Sequence, residues 1–486
     1  MGPINLTSQL SSATSGLGGY RPAEGYFDEA FDASGAVRTH YADLAELIGA
    51  LDPAALARAA QEHVDSDGVS FTTKSGTLPF VVDPMPRVIS AAEWNPLGAG
   101  VAQRVAALNR FVQDVYGDRE IVKAGIVPWS AIESAEYFEP DLVGTSPPAG
   151  IFTHLAGLDL VRDADGRLRV LEDNVRSPSG LTFSLAARRM SESILPFAGD
   201  FDKLAVDDVS VFGAMSDVLH AAAPTDNGEP AIALVSDGPK SAAWYEHRQV
   251  AKALDIYLFS IEQLESHGGS IYGRDSDGLL KPIDVIYRRT DLDMLRSPRG
   301  ALTHFGELLL DPIRNGAVAS VNAFGSGIAD DKLIHAYVEE MIGFYLDEEP
   351  LLRSVKTYDP SDAQTLAMIE ERAGELVIKP RGGLGGSDVT IGPKSSREEI
   401  DTALARVQAE PNLWVAQETV ALSTHPTVAE NCWQPRHIDL RPYAIHLADG
   451  AQTLPACLTR VALSKGGLIV NSSRNGGAKD TWITAG

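Results

Sequence analysis

The chain has 486 residues, more than one ordinary domain holds, and its 44% hydrophobic content is that of a soluble globular enzyme built as two or three lobes. Its 66 acidic residues outnumber 41 basic ones and give a formal charge of −25 with no block of like charge, a surface that repels nucleic acid and anionic membranes. The two cysteines, Cys432 and Cys457, are too few for a disulfide framework and lack metal-ligand spacing, which fits a reducing cytoplasm, and no run is long enough to span a bilayer.

Residues 1–22 are rich in Ser and Gly, with neither a basic start nor an apolar core, so they read as a flexible start and not as a signal peptide. The stretch 23–140 reads as mainly helical. The pattern is clearest in VAQRVAALNRFVQDVYG, Val101 to Gly117, where apolar residues recur every three or four positions. GTSPPAG, Gly144 to Gly150, leads into GLDLVRDADGRLRVLEDNVRSPSG, Gly157 to Gly180. Here Asp159 precedes Glu172 by thirteen residues, Glu172 and Asn174 alternate along one strand, and the DADG turn at Asp163–Gly166 returns Asp159 beside them. Two carboxylates and an amide oxygen then face one point. Hard oxygen donors of this kind suit Mg²⁺, which completes its shell with waters and substrate phosphates. The same pattern also describes an ordinary hairpin with solvated acids on its face.

A helix over Phe183–Ser193 crosses to a new unit. There a buried-type strand, Ile232–Ser236, is followed by the turn SDGP, a helix over Ser241–Ala253 and a second such strand, Ile283–Tyr287, the rhythm of a parallel α/β lobe. Tyr245-Glu246-His247 at the start of that helix, and Arg288 and Arg289 ending that strand, stand where ligands often bind in such lobes. His154, His247 and His437 are scattered and read as structural.

GELVIKPRGGLGGSDVTIGP, Gly374 to Pro393, delivers Lys379 at the end of a short apolar strand directly before Gly382, Gly383, Gly385 and Gly386. Glycines let backbone N–H groups approach phosphate without Cβ interference, and the lysine adds a point charge for the same oxygens. The loop is neither a Walker A loop nor a Rossmann fingerprint. WVAQETV, Trp414 to Val420, reads as a strand whose Gln417 and Glu418 present groups to an adenine edge. Arg441 in HIDLRPYAIH, Arg460 in ACLTRVAL and Asn471 in GGLIVNSSRNGG follow, and arginine's planar fork suits phosphate and carboxylate oxygens. A protein-kinase reading of HIDLRPYAIH fails, because Lys379 precedes its glycine loop and no Asp-Phe-Gly follows.

These parts in this order, with RVISAAEW at Arg87, VLEDNVRSPSG at Val170, VIYRRTDLD at Val285, VNAFGSGIADDK at Val321 and NGGAKDTW at Asn475, carry a resemblance that runs from about Tyr20 to Trp482. The chain resembles the circularly permuted ATP-grasp type 2 family, related to the glutathionylspermidine-synthase-like ligases, with the metal strand ahead of the nucleotide elements. The resemblance implies an α/β (α+β) fold: a helical N-terminal region to about 140, a metal-binding segment over 141–189, a parallel α/β lobe over 190–338 and a nucleotide-binding part over 339–486. It implies ATP and Mg²⁺, the metal held by Asp159, Glu172 and Asn174. The nucleotide would lie against Lys379, Gly382, Gly383, Gly385, Gly386, Gln417, Glu418 and Asn471. Arg441 and Arg460, with Lys379, would stabilise the reacting groups, and Arg176 with Ser177 to Thr182 would hold the acyl substrate. The activity implied is carboxylate–amine ligation through an acyl phosphate, on small-molecule or peptide substrates. A non-catalytic ATP-binding scaffold or sensor, and a small-molecule phosphotransferase, are the alternatives. Neither the acid, the amine nor the oligomeric state is legible.

Overall fold

A computed structural model describes residues 17–485 apart from 74–75, 225–227, 292–293, 384–387 and 468–475. Its centre is a nine-stranded sheet whose strands come from distant parts of the chain. Across the sheet the order is Arg353–Ser354, Leu168–Glu172, Asp159–Arg162, Cys432–Leu447, Gly450–Ala462, Gly476–Ile483 and Val82–Ile89, with Leu155–Gly157 and Thr424–Ala429 also paired to Cys432–Leu447. The hairpin Asp159–Glu172 therefore docks on a strand made late in the chain, Leu160 opposite Leu440.

Consecutive residues of a strand point to opposite faces, so each strand feeds two cores. Val88, Leu155, Leu458 and Trp482 pack on one face with the helices Pro53–Ser66 and Leu181–Ile194. Their neighbours Ile89, Ala156, Cys457 and Ile483 pack on the other face against Ala91–Tyr116. That long helix starts at Ser90, whose side chain accepts from Glu93 N (3.3 Å), and it buries Val101, Val105, Leu108 and Val112. The sequence pattern from Val101 to Gly117 marks only its second half.

The N-terminal region is less purely helical than its pattern. It supplies the sheet strand Val82–Ile89, which pairs in parallel with Gly476–Ile483 and ends the sheet. An end strand has one ladder partner, which is why Pro84 and Pro86 are tolerated there.

Two smaller units complete the fold. A four-stranded parallel sheet, in the order Ala319–Val321, Val285–Arg289, Ile232–Ser236, Tyr257–Phe259, is the expected α/β lobe. A four-stranded antiparallel sheet, in the order Thr357–Tyr358, Trp414–Glu418, Leu376–Pro380, Thr390–Ile391, is backed by the helices Ala363–Arg372 and Arg397–Ala409 around Ile378, Trp414, Ile400 and Leu376. Among the described residues no helix is long and apolar enough to cross a membrane.

Candidate functional site

The hairpin turn is set by Asp163, whose Oδ1 accepts from Asp165 N (3.0 Å) and Arg167 N (2.9 Å). This returns the chain so that Asp159 lies directly opposite Glu172. The strand ends at Glu172, so Asn174 lies beyond it and does not share it as expected, and Asp173 between them is buried in the interior. Arg104 of the long helix grips it through Nε (2.6 Å) and Nη2 (2.8 Å), and His335 Nδ1 lies 2.6 Å from it. The central acid of the Glu-Asp-Asn triplet thus anchors the end of the strand, while Glu172 before it meets Lys379.

Four cations close on the two site acids. Arg441 binds Asp159 with both prongs, Nε to Oδ1 (2.6 Å) and Nη2 to Oδ2 (2.9 Å), and Arg460 Nη2 adds a contact at 2.8 Å. Burial alone would raise the Asp159 carboxyl, but the two guanidiniums outweigh it and hold it at about 2. Arg460 also pairs with Asp439, its cross-strand partner. Glu172 Oε1 accepts from Lys379 Nζ at 3.0 Å; burial opposes its charge, yet Lys379 and Lys332 keep the carboxyl at about 2. Burial in turn lowers Lys379, against the pull of Glu172. Lysine at a strand end needs no burial, but Lys379 has only 5% of its surface exposed. A second thread from the small sheet runs alongside: Gln417 Nε2 donates to Leu171 O at 3.2 Å.

Asn174, expected as the third oxygen donor, lies two residues past the end of the strand Leu168–Glu172. Its Nδ2 is buried with no hydrogen-bond partner. Amide nitrogen and oxygen are interchangeable in outline, so the same position can present an oxygen to a cation. Among the described residues no cluster of three or more His, Cys, Asp or Glu could hold a metal ion. The donors here are two carboxylates and an amide, the sparse oxygen set that Mg²⁺ shares with phosphates, and they fit that ion.

The other residues expected at the site divide. Gly382 and Gly383 follow Lys379 closely; Gly383 has φ +92°, and a Cβ on Gly382 would lie 2.5 Å from Glu136 Oε2. Gly385, Gly386 and Asn471 lie outside the described residues. Glu418 turns its carboxylate to Arg372 (2.9 and 3.0 Å) and Tyr358 (2.5 Å), and Gln417 also bonds Thr357 Oγ1, so both side chains are engaged within the fold. Arg176 lies over the Tyr137 ring at 4.4 Å, and its backbone N donates to Asp330 Oδ1 at 2.9 Å. Arg289, a candidate for a substrate carboxylate, is paired with the protein's own Glu246 at 2.9 Å. His154, His247 and His437 are buried, with partners at His446 O (3.0 Å), Ser236 Oγ (2.7 Å) and Leu422 O (2.9 Å).

Two residues at the site were not singled out from sequence. Lys332 acts electrostatically on Glu172 and Lys379 and donates to Gly383 O at 3.1 Å. Asp330 accepts from Val175 N and Arg176 N, and burial raises its carboxyl to about 6. Both stand in GIADDK, where two acids before a lysine resemble any solvated turn.

A carboxylate hairpin in a large mixed sheet, faced by a small antiparallel sheet that brings a lysine strand and glycine turn onto it, defines the class as ATP-grasp. The particular family follows from comparison: the match to circularly permuted ATP-grasp type 2 spans residues 86–462, and the chain belongs to that family. It is a family of ATP-grasp ligases, proteins that generally use ATP with Mg²⁺.

An uncharacterized protein of Mycobacterium bovis is 37% identical, the alignment covering 99% of this chain and 90% of that one. An uncharacterized protein of Synechocystis sp. is 38% identical over 97% and 99% of the two. A Frankia alni protein, provisionally named glutamate–cysteine ligase 2-3, is 39% identical over 96% of this chain, which spans only 54% of its length. Among solved structures, a glutathione synthetase-like effector from Globodera pallida, in its apo form, aligns with a TM-score of 0.58 over 89% of this chain and 98% of its own. At 13% identity that is a likeness of fold.

Proposed function

We propose that this chain is an ATP- and Mg²⁺-dependent carboxylate–amine ligase that forms an amide bond through an acyl phosphate and releases ADP and phosphate. The observation that carries this reading is the meeting of Asp159, Glu172, Lys379, Arg441 and Arg460 from three separate strand pairs. Buried charges persist only when compensated. A magnesium nucleotide brings both signs, so its arrival lets the acids and the cations change partners without stranding any of them.

Mg²⁺, held by Asp159, Glu172 and Asn174, would neutralise charge on the phosphates. Lys379, Arg441 and Arg460, joined by Lys332, hold the γ-phosphate oxygens and stabilise the negative charge that gathers as the leaving oxygen departs. Arg176 stands next to this cluster in sequence and orients the acid. An oxygen of the substrate carboxylate attacks the γ-phosphorus, the bond from phosphorus to the β–γ bridging oxygen breaks, and ADP leaves. The amine nitrogen then attacks the acyl carbon, the carbon–oxygen bond to phosphate breaks, and the nitrogen loses its proton as the amide forms.

The test is trapping. With ATP, Mg²⁺ and a panel of carboxylic acids, hydroxylamine in place of the amine is expected to yield hydroxamate and ADP in equal amounts. The name of the Frankia relative makes L-glutamate the first acid to try. AMP and pyrophosphate as products, or ADP with no hydroxamate from any acid that stimulates turnover, would reject the mechanism.

A further inference from the structure

The short segment Ser177–Thr182 leaves the hairpin strand and starts the helix Leu181–Ile194. It is held from two sides. On the sheet side, Ser179 O accepts from Arg441 Nη1 (3.1 Å) and Tyr443 Oη (2.9 Å). Gly180, at φ +111°, is admitted there because a Cβ would stand 2.5 Å from Tyr443 Oη and 2.7 Å from Leu458 Cδ2.

On the other side the grip comes from the α/β lobe. Glu246 Oε2 accepts from Gly180 N (2.9 Å), Thr182 N (3.1 Å) and Thr182 Oγ1 (3.3 Å), so an internal carboxylate occupies the N-terminus of that helix. Glu246 Oε1 pairs with Arg289 Nη2 (2.9 Å), and Arg289 Nη1 donates to Pro178 O (2.6 Å) and Ser177 Oγ (3.2 Å). Behind them His247 Nε2 accepts from Arg289 Nε (3.3 Å) while its Nδ1 meets Ser236 Oγ (2.7 Å). Glu246, Arg289, His247, Ser236 and Thr182 are all buried.

Ser236 and Arg289 end their strands at the carboxyl edge of the parallel sheet, the place where open α/β sheets usually bind a ligand. In this chain those groups bind a loop of the neighbouring sheet instead. Arg441 contacts Asp159 and Ser179 O with one guanidinium, so the loop and the charge cluster share a side chain.

We infer that Glu246 and Arg289 are positioning residues: acting through Ser177–Thr182, they fix where Arg176 and the acid-binding side of the site stand relative to the charge cluster. The inference rests on the ligase reading above. It implies that the α/β lobe governs the fit of the acid far more than nucleotide affinity, because Arg441 keeps its two bonds to Asp159 whatever the loop does.

The full-length chain and the variants Arg289→Lys, Glu246→Gln and Thr182→Val test it with two readouts. Thr182→Val removes one hydroxyl contact, so it folds even if the buried-charge variants do not. The first readout, amide hydrogen exchange over residues 176–185, needs no activity; each variant is expected to speed exchange there about tenfold or more while distant strands keep their protection. In the second, ADP release with the acid that gives hydroxamate, KM for the acid is expected to rise about tenfold while the dissociation constant of ATP stays within about twofold. Unchanged exchange in all three variants overturns the inference, as do equal losses for acid and ATP. A wild-type chain that forms no hydroxamate fails the ligase reading itself, and the inference with it.

Discussion

Two buried charge clusters grip the same strand, Asp159–Arg162, one at each end. At the far end Arg162 joins Glu29 (3.1 Å), which Arg87 holds with two contacts of 2.7 Å and Ser423 with a third of the same length. At the near end Asp159 meets Arg441 and Arg460, and Glu172 meets Lys379. The chemistry is alike and the setting is not. Each cluster is buried except for one acid at its rim, Glu93 on Arg162 and Glu172 on Lys379, both 30% exposed. The first cluster ties together pieces of one sheet. The second spans two sheets, joined through Lys379 and Gln417, and two residues past Glu172 the amide nitrogen of Asn174 is buried with no hydrogen-bond partner. The lesson is that exposure alone does not tell a structural network from a site and lobe membership does; a pair that reaches across lobes can be traded for a ligand.

The sharpest way to break this contrast is to remove one partner from each cluster. Arg87→Met takes two charged hydrogen bonds from Glu29, leaving it Arg162 and Ser423, and is expected to cost about 3 kcal/mol of stability, the scale of two lost hydrogen bonds to a buried charge. Denaturant unfolding measures it. The activity per folded molecule should survive, and an Arg87→Met chain with full stability would show the cluster to be dispensable.

Next in size come the site residues. Glu172→Gln and Asn174→Ala are each expected to lower turnover about a hundredfold or more, the effect of losing one preorganised electrostatic contact. Near-normal ADP release by either variant at saturating Mg²⁺ would remove these residues from the site. Lys379→Met is expected to weaken ATP binding about tenfold, read by calorimetric titration, with a modest loss of stability because Glu172 is partly solvated and keeps Lys332 nearby.

The smallest effect separates Asp330 from the acids around it. Asp159 and Glu172 have folded values near 2, so their contribution is present above their ordinary values of 3.8 and 4.5 and is lost as pH falls toward 2. Asp330 has the opposite sign. Burial raises it from 3.8 to about 6, so the folded chain holds its proton longer and loses stability as pH rises through that range. Asp330→Asn keeps an oxygen for Val175 N and Arg176 N. Without nucleotide or metal, it is expected to raise the melting temperature by a few degrees at pH 7 and to leave it unchanged at pH 4. Equal effects at both pH values would mean that Asp330 titrates normally.

Much of this was written in local pattern. The spacing of Asp159, Glu172 and Asn174 around DADG implied the hairpin, and the structure pairs Asp159 with Glu172. The strand before Lys379 and the alternation of strand and helix after Ile232 were equally local signals. What escaped was decided by distant partners. Nothing in Glu-Asp-Asn says that Arg104 takes the middle acid, because that contact joins positions 69 apart. Nothing in Tyr-Glu-His says that Glu246 caps another helix, or that Arg289 is answered by an internal carboxylate. The strand Val82–Ile89 hid behind its two prolines, which an end strand admits and a period-2 reading rejects.

The docking of Leu160 opposite Leu440 also has a consequence for the nascent chain. The partner of the hairpin is translated 440 − 160 = 280 residues later, which at about 5–20 residues per second is a wait of roughly 14 to 56 s. Throughout that interval the ribosome holds an exposed hairpin with an unpaired strand edge, the kind of surface on which neighbouring chains pair wrongly. Closure of the central sheet therefore comes late: the strand that ends at Ile483 must clear the exit tunnel before it can join Val82–Ile89. Yield from expression should depend on holdase chaperones and on slower initiation far more than on the intrinsic stability of the finished fold.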